Sequence, residues 1–114
     1  VSRTLLFVYG LLQPQFHPPK QVYNQWRDSL KGRLYDLGEY PGGIEIGQGP
    51  KTFEGSVLDI DDSELEALDE FEDVRGSSCF RRIRATTESG ADVWVYEYFG
   101  PLPDTPPIPR WPAP

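Results

Sequence analysis

Apolar positions along the chain come in short runs separated by glycine, proline and acidic breaks, and the spacing within each run predicts its element. TLLFVY, residues 4–9, is continuous, rich in β-formers and stops at Gly10, the pattern of a strand buried on both faces. QPQFHPP, residues 13–19, excludes regular structure. Pro19 then suits the first turn of a short helix in KQVYNQW, residues 20–26, where Val22 and Trp26 share a face. KGRLYDL, residues 31–37, predicts a second strand, followed by the tight loop GEYPGGIEIG with a brief extended piece at 44–46. FEGSVLDI, residues 53–60, is a third strand. After it Asp61 or Ser63 can cap a helix, with Glu64 or Glu66 three residues on closing a reciprocal capping box and Leu65 and Leu68 on the buried side. CFRRIRATT and ADVWVYEYF, separated by ESG, read as a hairpin. Strand, helix, strands, helix, hairpin is an α+β order, expected to close as a small mixed β-barrel or strongly curved sheet with two flanking helices.

The last fourteen residues, PLPDTPPIPRWPAP, are half proline. Too few amide donors remain for a sheet or helix interior, so this tail is expected to lie extended on the surface or to be disordered. The expected organisation is one domain over residues 1–100 and a proline-rich tail over 101–114 that is dispensable for chemistry.

Charge and rare residues narrow the function. A net charge of −7 disfavours a nucleic-acid backbone or an anionic membrane as partner, and leaves a small molecule as the expected one. No apolar run is long enough to cross a bilayer, VSRTLLFVYG is too short and too soon interrupted for a signal peptide, and the single Cys79 forms no intrachain disulfide. A cytoplasmic setting is expected. The lone His17, between Phe16 and Pro18, leaves both a Ser-His-Asp triad and His/Cys metal sites short of groups, and the glycine spacings match no phosphate cradle. No metal and no cofactor are expected.

What remains is carboxylate chemistry beside a backbone turn. In VYGLL a buried strand ends at Gly10, where successive N–H groups can face a carboxylate or a developing oxyanion. LDEFEDV, residues 68–74, packs Asp69, Glu70, Glu72 and Asp73 around two large apolar side chains. Glu64 and Glu66 sit at the start of the helix, where its dipole explains them. Glu72 follows Phe71 as the helix ends. An acid there, desolvated by Phe71 and crowded by Glu70 and Asp73, would have the raised pKa of a base working near neutrality. An aromatic wall is expected from Tyr9, Tyr35 or Tyr96.

VYGLL, GRLYDLGEYPGG, FEGSVLDI, LDEFEDV, the FRR after it and VWVYEY, in this order, resemble the γ-glutamylcyclotransferase family, including its γ-glutamylamine cyclotransferase and AIG2-like branch. The resemblance spans residues 5–99 and implies a small mixed β-barrel with flanking helices. It implies cofactor-free conversion of a γ-glutamyl compound to 5-oxoproline with release of the amine. The family's essential glutamate falls on Glu72, its Tyr-Gly turn on Tyr9 and Gly10, and the amides of Leu11 and Leu12 would line the substrate pocket. The family's arginine two after an aromatic falls on Arg82, where it would pair with a carboxylate and order the site. Leu11 replaces the family's usual Ser or Thr, removing a hydroxyl but keeping the amide, and Asp73 stands where glycine is common. The rival expectation is a non-catalytic binding module of the same fold, holding a small amino-acid-like ligand or engaging a partner through PPIP and PRWP.

Overall fold

The computed structural model describes residues 2–76 and 79–112; the side chains of 72–76 lie outside the description. Among the described residues seven strands form: β1 (Arg3–Val8), β2 (Val22–Lys31), β3 (Arg33–Asp36), β4 (Pro41–Ile44), β5 (Thr52–Asp61), β6 (Phe80–Thr86) and β7 (Asp92–Tyr98). A 3-10 turn at Asp62–Glu64 leads into α1 (Leu65–Gly76). The main sheet has the order β2-β5-β1-β7-β6, with β1 and β7 parallel and the other neighbours antiparallel; β3 and β4 pair as a separate ladder.

β1 is central, as its unbroken apolar run predicts. Leu6 and Val8 face one core cluster with Leu58, Ile60, Tyr96 and the helix residues Leu65 and Leu68. Phe7 and Tyr9 face the other with Leu30, Leu34, Phe53, Val57, Val93 and Val95. Strand alternation thus divides the hydrophobic residues between α1 on one face and the β3/β4 ladder on the other.

Two expectations are corrected. The helix expected at 20–26 is strand β2, so α1 is the single α-helix among the described residues. A spacing of four, as between Val22 and Trp26, is compatible with a helix turn and with one face of a strand; pairing along β5 from Val22↔Ile60 to Lys31↔Thr52 decides for the strand. A bulge between Val22 and Asn24 then flips the register, so that Val22 packs with the helix-side cluster while Trp26 packs with the opposite one. The sheet is also not closed into a barrel: among the described residues β2 and β6 remain as its edges.

Local details differ too. Asp61 is the N-cap of the 3-10 turn but makes no side-chain cap; its Oδ1 accepts from the Tyr23 hydroxyl at 3.0 Å instead. α1 runs on to Gly76, so Glu72 lies inside the helix rather than at its end. No helix among the described residues is long and apolar enough to cross a membrane.

Curvature brings the two edges together without pairing them. The turn of the β6–β7 hairpin reaches β2, where Glu88 N–H donates to the Ser29 carbonyl at 2.9 Å and the Ser89 hydroxyl donates to Asp28 Oδ2. The Asp28 carboxylate also accepts from Ser29 N–H at 2.9 Å and Trp26 Nε1 at 3.1 Å. Desolvation pushes its pKa up, but the bonds from Ser89, Thr87, Ser29 and Trp26 outweigh it and hold the carboxyl at about 2 rather than 3.8. The unfolded chain therefore takes up this proton first. The stabilisation is complete above 3.8 and drains away as pH falls through about 2. Asp28→Asn, which keeps the shape but offers one acceptor oxygen, should cost about 1–2 kcal/mol in urea unfolding at pH 6, and the gap to wild type should narrow between about pH 4 and pH 2. A gap independent of pH would show that the carboxylate charge contributes nothing to the latch.

Candidate active site

A cleft opens where β1 ends. The chain from Val8 to Leu12 forms one wall, Tyr40 and Pro41 another, and Phe71 of α1, Phe80 of β6 and Tyr96 of β7 complete it. Each wall comes from a different part of the chain, so only the folded sheet assembles the cleft.

Gly10 is required by close approach. A β-carbon there would lie 2.9 Å from Pro41 Cδ, so any larger residue would press on the start of β4. The turn itself is closed by Gln13 N–H donating to the Gly10 carbonyl at 3.0 Å, and by His17 N–H donating to the Leu11 carbonyl at 2.8 Å. These bonds do not use the Leu11 and Leu12 N–H groups, which have no hydrogen-bond partner among the described residues. Both residues line the cleft.

Tyr9 fixes the cleft from the sheet side. Its hydroxyl donates to the Tyr96 carbonyl and accepts from Gly43 N–H at 3.1 Å, joining β1, β7 and β4 through one oxygen. Gly42 and Gly43 permit this: β-carbons there would fall 2.7 Å from Tyr98 Cγ and 3.3 Å from Tyr9 Cζ.

On the helix side, Asp69 is the hub. The Tyr96 hydroxyl donates to Asp69 Oδ1 at 2.6 Å, while Arg82 Nε and Nη2 bond Oδ1 and Oδ2 at 2.8 and 3.1 Å. Arg82 also lies over the Trp94 ring, 4.4 Å from its centroid. The arginine thus meets the cleft through Asp69 and Tyr96 and does not line it. Arg81, on the opposite face of β6, clamps Glu97 Oε1 at 2.8 and 3.0 Å, and Glu97 Oε2 accepts from Ile46 N–H at 3.2 Å. Burial raises the Tyr98 hydroxyl pKa, with neighbouring Cys79 and Tyr40 adding to the effect, and that hydroxyl donates to the Pro101 carbonyl at 2.8 Å.

Of the residues expected from sequence, Tyr9, Gly10, Leu11, Leu12 and Tyr96 come together around the cleft, and Arg82 reaches it indirectly. Tyr35 stands apart in β3, its hydroxyl accepting from Arg33 Nη1 at 3.0 Å. The side chains of Glu72 and Asp73 lie outside the described residues. Tyr40, Phe71 and Phe80 are lining residues that sequence reasoning did not select. Phe71 was legible in part, since it follows Leu68 by three on a helix. Asp69 follows Leu65 by four, a spacing that signals the same face.

The family model "Gamma-glutamyl cyclotransferase, AIG2-like" matches residues 6–112. The chain belongs to this family. A Vibrio cholerae protein is 34% identical over 99 residues, spanning 82% of this chain and 81% of its own. The "Gamma-glutamylcyclotransferase family protein YtfP" of Escherichia coli K12 is 33% identical over 106 residues, spanning 85% of this chain and 84% of its own. Among solved structures, an AIG2-like protein from Mus musculus superposes with a TM-score of 0.74 at 21% identity, over 97% of this chain and 89% of that one. A Pyrococcus horikoshii protein superposes at 0.70 and 19% identity, over 93% and 86% of the two chains. At these identities the structural likeness carries the AIG2-like fold and not its chemistry.

Within this AIG2-like fold, the bond from Arg82 to Asp69 is bidentate and charge-assisted, with the Arg82 side chain 24% exposed. A double-mutant cycle on Asp69→Asn and Arg82→Met, read by urea unfolding, should return a coupling of about 1–2 kcal/mol, above the range of exposed surface pairs. Additive single effects would show that Asp69 holds Tyr96 without help from the arginine.

Proposed function

We propose that this chain is a cyclotransferase that converts a γ-glutamyl amine or γ-glutamyl amino acid to 5-oxoproline and the released amine. The observation that carries this reading is that the family model spans residues 6–112 and so takes in every wall of the cleft. In the reaction the substrate's α-amine attacks its own γ-carbonyl carbon, a new ring C–N bond forms, and the C–N bond to the leaving amine breaks. No oxidant, nucleophile from the protein or second substrate is required; the protein must fold the substrate, move one proton and stabilise an oxyanion.

Glu72 is the proposed proton carrier, taking the proton from the attacking amine and returning it to the leaving nitrogen. Its place in α1 supports this: it follows Leu68 by four and Asp69 by three, the spacing of neighbours on one helical face. Leu68 is in the core and Asp69 bonds the hydroxyl of the cleft residue Tyr96. The Leu11 and Leu12 amides are the proposed donors to the substrate carboxylate or the tetrahedral oxyanion, a role that needs N–H groups and no side-chain hydroxyl. Tyr9 and Tyr96 supply the aromatic wall.

Incubating the purified protein with γ-glutamyl amines, γ-glutamyl dipeptides and glutathione, and measuring 5-oxoproline, tests the reading directly. At least one member should be cyclised; no product from any of them would leave the fold as a binding module. On the substrate that is turned over, Glu72→Gln should lower kcat by about 10² to 10⁴-fold, the worth of a positioned acid-base group. Glu70→Gln should change it only a few-fold. Equal effects from the two substitutions would move the proton transfer to another group.

A further inference from the structure

The proline-rich tail does not trail from the domain. The Ile108 N–H donates to the Leu34 carbonyl at 2.8 Å, and the Pro109 carbonyl accepts from Glu54 N–H at 2.8 Å, so the tail crosses β3 and the start of β5 in an extended course. Beyond these bonds Trp111 turns onto the segment that follows β1. Its ring packs 5.5 Å from that of Phe16, its Nε1 donates to Asp36 Oδ1 at 3.3 Å, and its backbone carbonyl accepts from Gln13 Nε2 at 2.9 Å.

Gln13 is the junction. Its main-chain N–H closes the cleft turn on the Gly10 carbonyl, its side-chain Oε1 accepts from Arg27 Nη1 at 3.1 Å, and the residue is 1% exposed. Arg27 can only donate and the Trp111 carbonyl can only accept, so the group between them must do both. A primary amide does. A carboxylate would keep Arg27 and oppose the carbonyl; an aliphatic side chain would leave the half-buried Trp111 carbonyl without this donor and Arg27 with only Ser56 and Glu54.

We infer that Gln13 is a positioning residue through which Trp111 of the tail fixes the cleft turn, so that the C-terminal segment is part of the catalytic apparatus without touching substrate. This rests on the cyclotransferase reading for its kinetic consequence, but its physical core does not. The tail fixes one end of the Gln13 side chain, β2 fixes the other, and the Gln13 backbone fixes Gly10, beside the Leu11 and Leu12 amides. A turn held this way keeps its donors in place before substrate arrives; a turn released from the tail must be ordered during the reaction, and that cost falls on kcat.

Three variants test this: deletion of residues 110–114, Gln13→Glu with the tail intact, and Trp111→Phe. The last keeps both the carbonyl and an aromatic ring against Phe16, and serves as the conservative rescue. Amide hydrogen exchange reads the turn without any substrate. The deletion and Gln13→Glu should speed exchange at Gln13 and His17 by about tenfold or more, leave the amides paired between β1 and β5 unchanged, and Trp111→Phe should match wild type. With a substrate that wild type cyclises, the first two should lose about tenfold in kcat with KM changed less, and Trp111→Phe should retain most of it. Unchanged exchange at the turn in both disrupting variants overturns the inference, as does exchange that rises equally through β1 and β5, which would mark a general loss of stability. If the deletion costs the fold by circular dichroism, Gln13→Glu decides. A wild type inactive on every γ-glutamyl substrate refutes the cyclotransferase reading, while the exchange result still decides the strap.

Discussion

The Tyr9 hydroxyl is the contact on which the cleft depends. It stands at the end of the central strand, donates to the backbone of β7 and accepts from the backbone of β4, so one side chain sets the distance between the sheet and the β3/β4 ladder. Its ring packs edge-on to Phe53 at 5.4 Å between centroids, which fixes its position before either hydrogen bond is counted. The Tyr96 carbonyl and the Gly43 N–H, both in buried surroundings, find a partner in this hydroxyl. Because β4 is held this close, Pro41 rests on Gly10, and the turn after β1 cannot move outward without separating the ladder from the sheet.

Charge is used locally in this acidic chain. Three of its acids are engaged in buried or half-buried bonding sets rather than left on the surface: Asp28 latches the two sheet edges, Asp69 joins the helix to Tyr96 and Arg82, and Glu97 holds Arg81 and the Ile46 amide. Each set crosses between elements distant in sequence. The two arginines that alternate across β6 find opposite partners for that reason, and the apparently basic stretch FRRIR is a pair of structural clamps rather than a basic surface. Arg84 adds a second guanidinium against Trp94, 4.8 Å from the ring centroid.

The chemistry expected of the family asks little of side chains and much of geometry. Intramolecular cyclisation already has its nucleophile in the substrate, so the protein's contribution is to hold a folded conformer against fixed donors and one proton carrier. Under the proposed reaction, a cleft floored by a hydrogen-bonded turn and walled by Tyr9, Tyr96, Phe71 and Phe80 would suit that task, because rigid aromatic walls would restrict the conformers of a flexible γ-glutamyl chain. It also explains how Leu11 is accommodated: the position contributes its carbonyl to the turn, accepting from His17 N–H, and lines the cleft.

The sequence by itself determined the central strand, the β6–β7 hairpin, the helix after β5 and the glycine-ended turn, because each of these follows from local periodicity and from residues whose backbone preferences are strong. It also determined the family, through motifs whose order survives without knowledge of contacts. Periodicity could not separate helix from strand at Val22 and Trp26, since four is an allowed repeat of both, and only pairing with β5 resolved it. Nor could it show that Tyr35 faces away from the cleft, that Tyr40, Phe71 and Phe80 face into it, or that a proline-rich tail returns to Gln13 from 98 residues away. Those are meetings between segments that share no local signal. Curvature of the sheet and close approach at glycine brought them together, and both are properties of the packed chain rather than of any stretch within it.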